Sequence, residues 1–359
     1  MRMWVVAAVA GALGLGVLPG SASEAPGITS GVGPQLHSID RLAFAPDGRL
    51  VVADNQGAML YALDLERPAD APGVQGVEGL DRKVAAMMAA DRVAFTDMVV
   101  DPRSGQAYVA AIRASGESGL FRVNGAGEIK PVPLSGVRYS AVTLPNVRPL
   151  VPGYRSPRED TVTSMAFDGG RLYVAGLSNE EFSSKLRAVP YPFRGAGAGT
   201  SVEVYHTSHG ELETRSPIYT LMPMRFGDSA EMLAAYICTP LVRLKETDLT
   251  DGAEVRGTNI AEMGRHNRPL TMIRYVKDGQ DFVLMSNTRR GLLRLPTSAI
   301  LSAQTIPYEP TSIDTRDLGA HRVRGWDDVE WIALAGDGRL AALIRETDGS
   351  MDLKVAPLP

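Results

Sequence analysis

A chain of 359 residues with a formal net charge of -4 carries no basic footprint for nucleic acid, and its 44% hydrophobic content is ample for a large core. Cys238 is the only cysteine, which excludes an intrachain disulfide. Glycine and proline, at 37 and 24 residues, are as plentiful as a fold made of many turns demands.

Residues 1–25 read as an export signal. Arg2 supplies a positive start, Val5 to Leu18 form an apolar run, and Ser21-Ala22-Ser23 offers small residues for cleavage near Ser23, with Ala25 as a second end. The run is too short and too rich in Ala and Gly for a comfortable membrane span, and no Cys follows it to take a lipid. The expectation is a periplasmic or secreted protein whose residues 26–359 form one domain without a membrane span.

From there one phrase recurs six times: an apolar run, a tight Gly/Asp turn, then a second apolar run with a polar end. The copies are RLAFAPDGRLVVADN (41–55), DMVVDPRSGQAYVAAIR (97–113), SMAFDGGRLYVAGLSN (164–179), LMPMRFGDSAEMLAAYIC (221–238), TMIRYVKDGQDFVLMSN (271–287) and WIALAGDGRLAALIRE (331–346). Their turn residues Gly48, Gly105, Gly169, Asp228, Gly279 and Gly338 follow at near-even spacing. A β-hairpin returning at about one blade length is the signature of a β-propeller. The expected fold is all-β, with six four-stranded antiparallel blades; seven is the alternative, because the repeat is generous for one blade.

Third strands are expected at 59–65, 119–124, 184–192, 240–246, 291–297 and 351–358, and fourth strands at 127–134, 200–206 and 253–263. Leu80, Val84, Met87 and Met88 recur at helical spacing, which predicts one short helical insert within 80–93. Residues 135–160, rich in Pro and Arg, read as a long loop. The last unit stops at its third strand, and residues 34–39 are expected to add the outer strand that closes the ring.

Propeller topology gathers the turns after second strands and the connections into first strands on one face. Asp40, Asn55, Asp97, Arg113, Asn179, His266, Asn267, Arg268, Asn287, Arg289 and Asp328 fall there, which makes it the expected ligand-binding face. Two ion chemistries compete on it. VYHTSHGELET places His206 and His209 three apart with Glu211 and Glu213 beyond, while Cys238 and His266 lie on neighbouring loops. Imidazoles with a thiolate or carboxylate suit zinc or copper. Asp40, Asp97 and Asp328 stand just before first strands, and carboxylates from separate blades suit calcium. There is no G-x-S-x-G, Walker, H-E-x-x-H or C-x-x-C-H motif, and CTPLVR places Arg243 one position too late for the sulfatase modification signature.

By its hairpin pattern the mature chain resembles the broad group of exported six- and seven-bladed propellers with NHL-type, SMP-30/gluconolactonase-like and quinoprotein-like members. More narrowly, AGLSNEEFSSKLRAVPYPF (175–193), TSVEVYHTSHGELETRSP (200–217) and the stretch 238–295 resemble an uncharacterised family of secreted bacterial propellers. That family brings no activity. The SMP-30-like members imply a calcium ion held by a Glu and amides around the channel, but no motif here carries those residues across. Three functions stay open: a module binding a small molecule or a protein through its loop-rich face, a metal-dependent, lactonase-like hydrolase, and a redox partner of an electron carrier.

Overall fold

The computed structural model describes residues 27–66, 70–150, 158–207, 209–226, 229–307 and 316–359; the segment expected to be an export signal and Asp228 lie outside them. Strand β1 (Ile28–Val32) leads into the meander β2 (Arg41–Phe44), β3 (Leu50–Asp54) and β4 (Met59–Asp64). After helix α1 (Leu80–Met87) comes a second meander, β5 (Val93–Val100), β6 (Ala107–Arg113), β7 (Ser118–Val123) and β8 (Ile129–Pro131). Strand β9 (Arg138–Thr143) then returns to the first sheet, pairing β4 on one side and β1 on the other. The third sheet is built on β10 (Ser164–Asp168), β11 (Arg171–Leu177), β12 (Ser184–Pro190), β13 (Thr200–His206) and β14 (Glu211–Glu213).

The fourth sheet runs β15 (Ile218–Phe226), β16 (Ser229–Tyr236), β17 (Cys238–Lys245) and β19 (Thr258–Asn267), while the short β18 (Glu254–Arg256) joins β13 in parallel. In the fifth, β20 (Pro269–Lys277), β21 (Gln280–Asn287) and β22 (Gly291–Pro296) precede helix α2 (Thr297–Ser302) and the edge strand β23 (His321–Arg322). The last sheet has only β24 (Val329–Leu334), β25 (Arg339–Arg345) and β26 (Met351–Pro357). Second strands are buried on both faces, as the all-buried LVVAD of β3 illustrates, because each blade packs between two others.

Six sheets therefore make six blades. Their innermost strands pack side by side in the order β2, β10, β15, β20, β24, β5 and back to β2. Ring order and chain order differ: the β2 blade sits between those of β5 and β10. Residues 70–79 make this exchange by running under the β5 blade, where Gly73 N donates to Ser104 O (2.6 Å), Gln75 N to Asn124 O (3.1 Å) and Gly125 N to Ala71 O (3.1 Å). The Asp70 carboxylate fastens the start of that path, taking Lys130 (2.8 Å), Arg122 (2.6 Å) and Gln106 (3.0 Å), and these contacts hold its carboxyl well below the usual range.

The structure corrects several expectations. The stretch 135–160 is not all loop: it contains β9, whose Ala141 and Val142 are fully buried between β4 and β1. The segment 253–263 divides into β18 and β19, and α2 has no counterpart in the sequence reading. The expected four-stranded blade pattern holds, with strands added to the first and third sheets and three strands described in the last. Residues 34–39 do not close the ring. Instead His37 N (2.9 Å), Ser38 N (3.0 Å) and Gly57 N (2.8 Å) converge on the buried Asp54 carboxylate, which clamps this segment to its own blade. Gly57 is needed there, since a Cβ would lie 2.3 Å from Asp54 Oδ2.

Closure falls to packing of the last blade on the β5 blade. Val77 bridges Leu353 of β26, and α1 wedges Leu80 and Val84 into one core with Val109, Phe121, Leu343 and Leu353. Of the expected α1 face, Leu80 and Val84 are buried and Met88 packs beside them, but Met87 is exposed, and Ala85 is buried in addition. Leu353→Ala would leave a cavity at this seam, and the expected cost is about 2–5 kcal/mol in urea unfolding. A midpoint unchanged from the parent would show that the seam does not bear on stability.

Candidate functional site at the central channel

Each innermost strand has a sheet partner on one side only, so part of its backbone must find hydrogen bonds elsewhere. Side chains from adjacent blades supply them. Arg41 at the start of β2 donates through Nε to Thr163 O (2.7 Å) and through Nη1 to Thr96 O (2.8 Å), joining the blades on both sides. Thr96 Oγ1 donates to Ile39 O (2.7 Å), Thr163 Oγ1 to Ile218 O, and Leu221 N to Ser164 Oγ (3.1 Å). On the far side Ser286 Oγ accepts from Thr271 N (3.1 Å) and donates to Glu330 O (3.0 Å).

Inside this ring lies a cavity of about 390 Å³ lined by all six innermost strands. Leu42, Met98, Met165, Leu221, Met272 and Ile332 give it apolar walls, while Arg41, Asp97, Thr163, Tyr219, Thr271 and Trp331 add polar groups. The Arg41 guanidinium lies 5.3 Å over the Trp331 ring, and Arg268 lies 4.3 Å over Tyr219 while donating to its hydroxyl (2.7 Å). Trp331 Nε1 and Thr271 Oγ1 are shielded from solvent, and neither has a hydrogen-bond partner among the described residues. A shielded, unpaired polar atom is costly, and Trp331 and Thr271 each carry one beside the cavity.

Asp97 is the ionisable acid of this wall. Its oxygens accept from Leu42 N (2.7 Å) in the next blade and from Met98 N (2.7 Å). Burial pushes the carboxyl up to about 6, against the opposing pull of Arg41 and of the two N–H bonds. Asp40, one residue before Arg41, is also raised by burial, although Ser38 Oγ (2.5 Å) and Asn55 N (2.8 Å) donate to it.

The other residues expected on the binding face separate into two groups. Asn55, Asn267 and Asn287 are buried and engaged in structure: Asn55 Nδ2 donates to Glu159 O (2.7 Å) and Val162 O (3.0 Å), and Asn267 Nδ2 to Asn287 Oδ1 (2.8 Å). Arg113 pairs with Glu117 and donates to Met88 O (3.2 Å), away from the channel lining. Asn179, His266, Arg289 and Asp328 are exposed, with His266 at the end of β19 and Asp328 in the bend before β24 at positive φ (58° and 49°). Only Asp97 of the expected face lines the cavity, with Arg268 reaching it through Tyr219. Arg41, Tyr219, Thr271 and Trp331 were missed, although Arg41, Thr271 and Trp331 each open a recurring phrase and Tyr219 stands just before one.

The ion expectations fare differently from one another. Among the described residues, His206, His209 and Glu213 bring ligand atoms within 4.8 Å of one another, whereas Asp40, Asp97 and Asp328 form no such group. Cys238 opens β17 in the next sheet, its Cα opposite that of Asn267. Burial works against the Glu213 charge, but contacts with His206, Ser216 and His209 outweigh it and bring the carboxyl down to about 2.

The fold and its channel define a six-bladed β-propeller. No protein-family model matches the chain, and no curated protein is detectably similar to it. Among solved structures it is similar to the PQQ-bound aldose sugar dehydrogenase of Streptomyces coelicolor (15% identity, 92% of this chain and 99% of that one, TM-score 0.30). It is likewise similar to the periplasmic gluconolactonase PpgL of Pseudomonas aeruginosa (14% identity, 88% and 85%, TM-score 0.33). A virginiamycin B lyase from Staphylococcus aureus in complex with quinupristin gives 9% identity, 92% and 88% coverage and a TM-score of 0.34. At these values the propeller assignment rests on the strand pairing above, and the activities of those proteins stay with them. Among the described residues no helix is long and apolar enough to cross a membrane.

Asp97 makes a pH prediction. Its native carboxyl titrates at about 6, while an unfolded aspartate titrates near ~3.9. The native state therefore holds the proton over that interval. The resulting stabilisation is complete below about pH 4 and is lost as pH rises through about 6, on the order of 3 kcal/mol. Melting temperature measured from pH 4 to 8 should fall more steeply in the parent than in Asp97→Asn. Parallel curves would mean that Asp97 is ionised throughout.

Proposed function

We propose that the protein is an exported binding module whose central channel takes a small organic molecule bearing an acceptor oxygen, such as a carboxylate or carbonyl. The observation that carries this reading is a cavity of about 390 Å³ lined by Trp331 and Thr271, whose donors Nε1 and Oγ1 have no partner among the described residues and, shielded from solvent, would turn to meet a bound acceptor. Arg41 adds a fixed positive charge, and among the described residues its Nη2 has no partner. The apolar walls would hold the body of the ligand and the donors would fix its orientation.

A panel of small carboxylates, lactones and hydroxy acids, screened by thermal shift and then by tryptophan fluorescence, tests this. Trp331→Phe and Thr271→Val keep side-chain shape and drop one donor each. Either change is expected to weaken binding by about 5–30-fold, the worth of a hydrogen bond of about 1–2 kcal/mol. Ligands bound equally by both variants, or no ligand across the panel, would overturn the channel as the site. Export belongs to the same proposal: protein recovered outside the cytoplasm should begin at Glu24 or Pro26 when its N-terminus is sequenced.

A second reading, hydrolysis of a lactone-like ester, draws on Asp97. A channel carboxyl that titrates at about 6 can take up or release a proton near neutral pH. Its mark would be turnover that rises through that pH and disappears in Asp97→Asn.

A further inference from the structure

Away from the channel, β13 and β14 form a hairpin whose tip is closed by bonds from His209 N (3.0 Å) and Gly210 N (2.8 Å) to His206 O. In the hairpin register His206 stands opposite Glu211 and Val204 opposite Glu213. Opposed residues share a face and strand residues two apart share it too, so His206 and Glu213 lie diagonally on one side. The turn folds His209 over the same side: the two imidazole centroids are 4.0 Å apart.

The three side chains converge. His206 Nδ1 lies 3.0 Å from Glu213 Oε2, and His209 Nδ1 lies 2.5 Å from Glu213 Oε1. His206 is only 3% exposed, yet neither of its ring nitrogens makes an aligned hydrogen bond. A buried imidazole whose Nδ1 meets Glu213 only out of line, and whose Nε2 has no partner among the described residues, carries an unmet desolvation cost that an ion shared with Glu213 would offset. Ser216 Oγ donates to Glu213 Oε2, the oxygen that also faces His206, and so helps to fix the carboxylate, as the outer partners of metal ligands commonly do. The His209 side chain is 48% exposed, so the group opens to solvent on that side.

We propose that His206, His209 and Glu213 bind a single divalent transition-metal ion, zinc by the chemistry of the donors, with a coordination position left open to solvent. Two imidazoles and a carboxylate match the ligand types of three-ligand zinc sites. Bonds of about 2.0–2.2 Å to a tetrahedral ion place donor atoms roughly 3.3 Å apart, within the 4.8 Å span of this group. The proposal is independent of the channel reading, since the hairpin lies on the outer strands of the third blade.

The full chain, stripped with chelator and dialysed, is titrated with Zn²⁺ while bound metal is counted by elemental analysis. Co²⁺ serves as a visible probe of tetrahedral nitrogen and oxygen ligation. The expected result is one ion per chain, with binding weakened by about 10–100-fold or more in Glu213→Gln and in His209→Ala, at least the loss seen when outer support is removed. His209 is exposed, so that variant keeps the fold even if a change at His206 does not; circular dichroism confirms it. No stoichiometric uptake, or uptake that both variants retain unchanged, overturns the site.

Discussion

The structure depends on how six innermost strands, each with a free edge, satisfy their backbone beside a channel. A free edge in a closed ring cannot recruit another strand without filling the channel. The edges are instead tied by single side chains that reach from blade to blade: Arg41 to Thr163 O and Thr96 O, Asp97 to Leu42 N, Ser286 to Glu330 O. These ties keep the bore open and set polar groups around it. The same bonds that hold the ring together thus create the chemistry of its interior.

This double duty explains why Asp97 is unusual. An aspartate in a blade-start position normally caps backbone N–H groups and stays ionised. Here the capped groups lie in the channel wall, so the carboxylate loses water, and even two N–H bonds and the Arg41 charge do not fully compensate. By contrast, Asp54 receives several donors within its own blade and acts as a clamp for residues 37–38.

Architecture was highly legible in the chain. Tight turns such as those at Gly48, Gly105 and Gly338 have positive φ and separate runs of alternating or fully apolar residues, a local signal that needs no tertiary knowledge. Blade order was not legible, because nothing local marks β9 as a partner for β4: its RYSAVT pattern reads like any half-buried strand. The site was half legible. Turn polarity singled out Asp97 and Arg268, but it also flagged Asn55, Asn267 and Asn287, whose amides serve the backbone. Arg41 and Trp331 escaped because their importance comes from neighbours more than 50 residues away, beyond the reach of any spacing rule.

The return of β9 to the first sheet also bears on assembly. Until residue 143 has been made, the β2 blade lacks the strand that shields β4, and the complete β5 blade has already been laid down. The first two blades must therefore mature as one block, its halves interlocked by a strand that straddles them in sequence. The remaining four can join in order, with β18, made between two strands of the fourth blade, completing the third, until β24–β26 dock against α1. Such a chain trades local, stepwise growth at its beginning for long-range pairing, the feature that slows β proteins most.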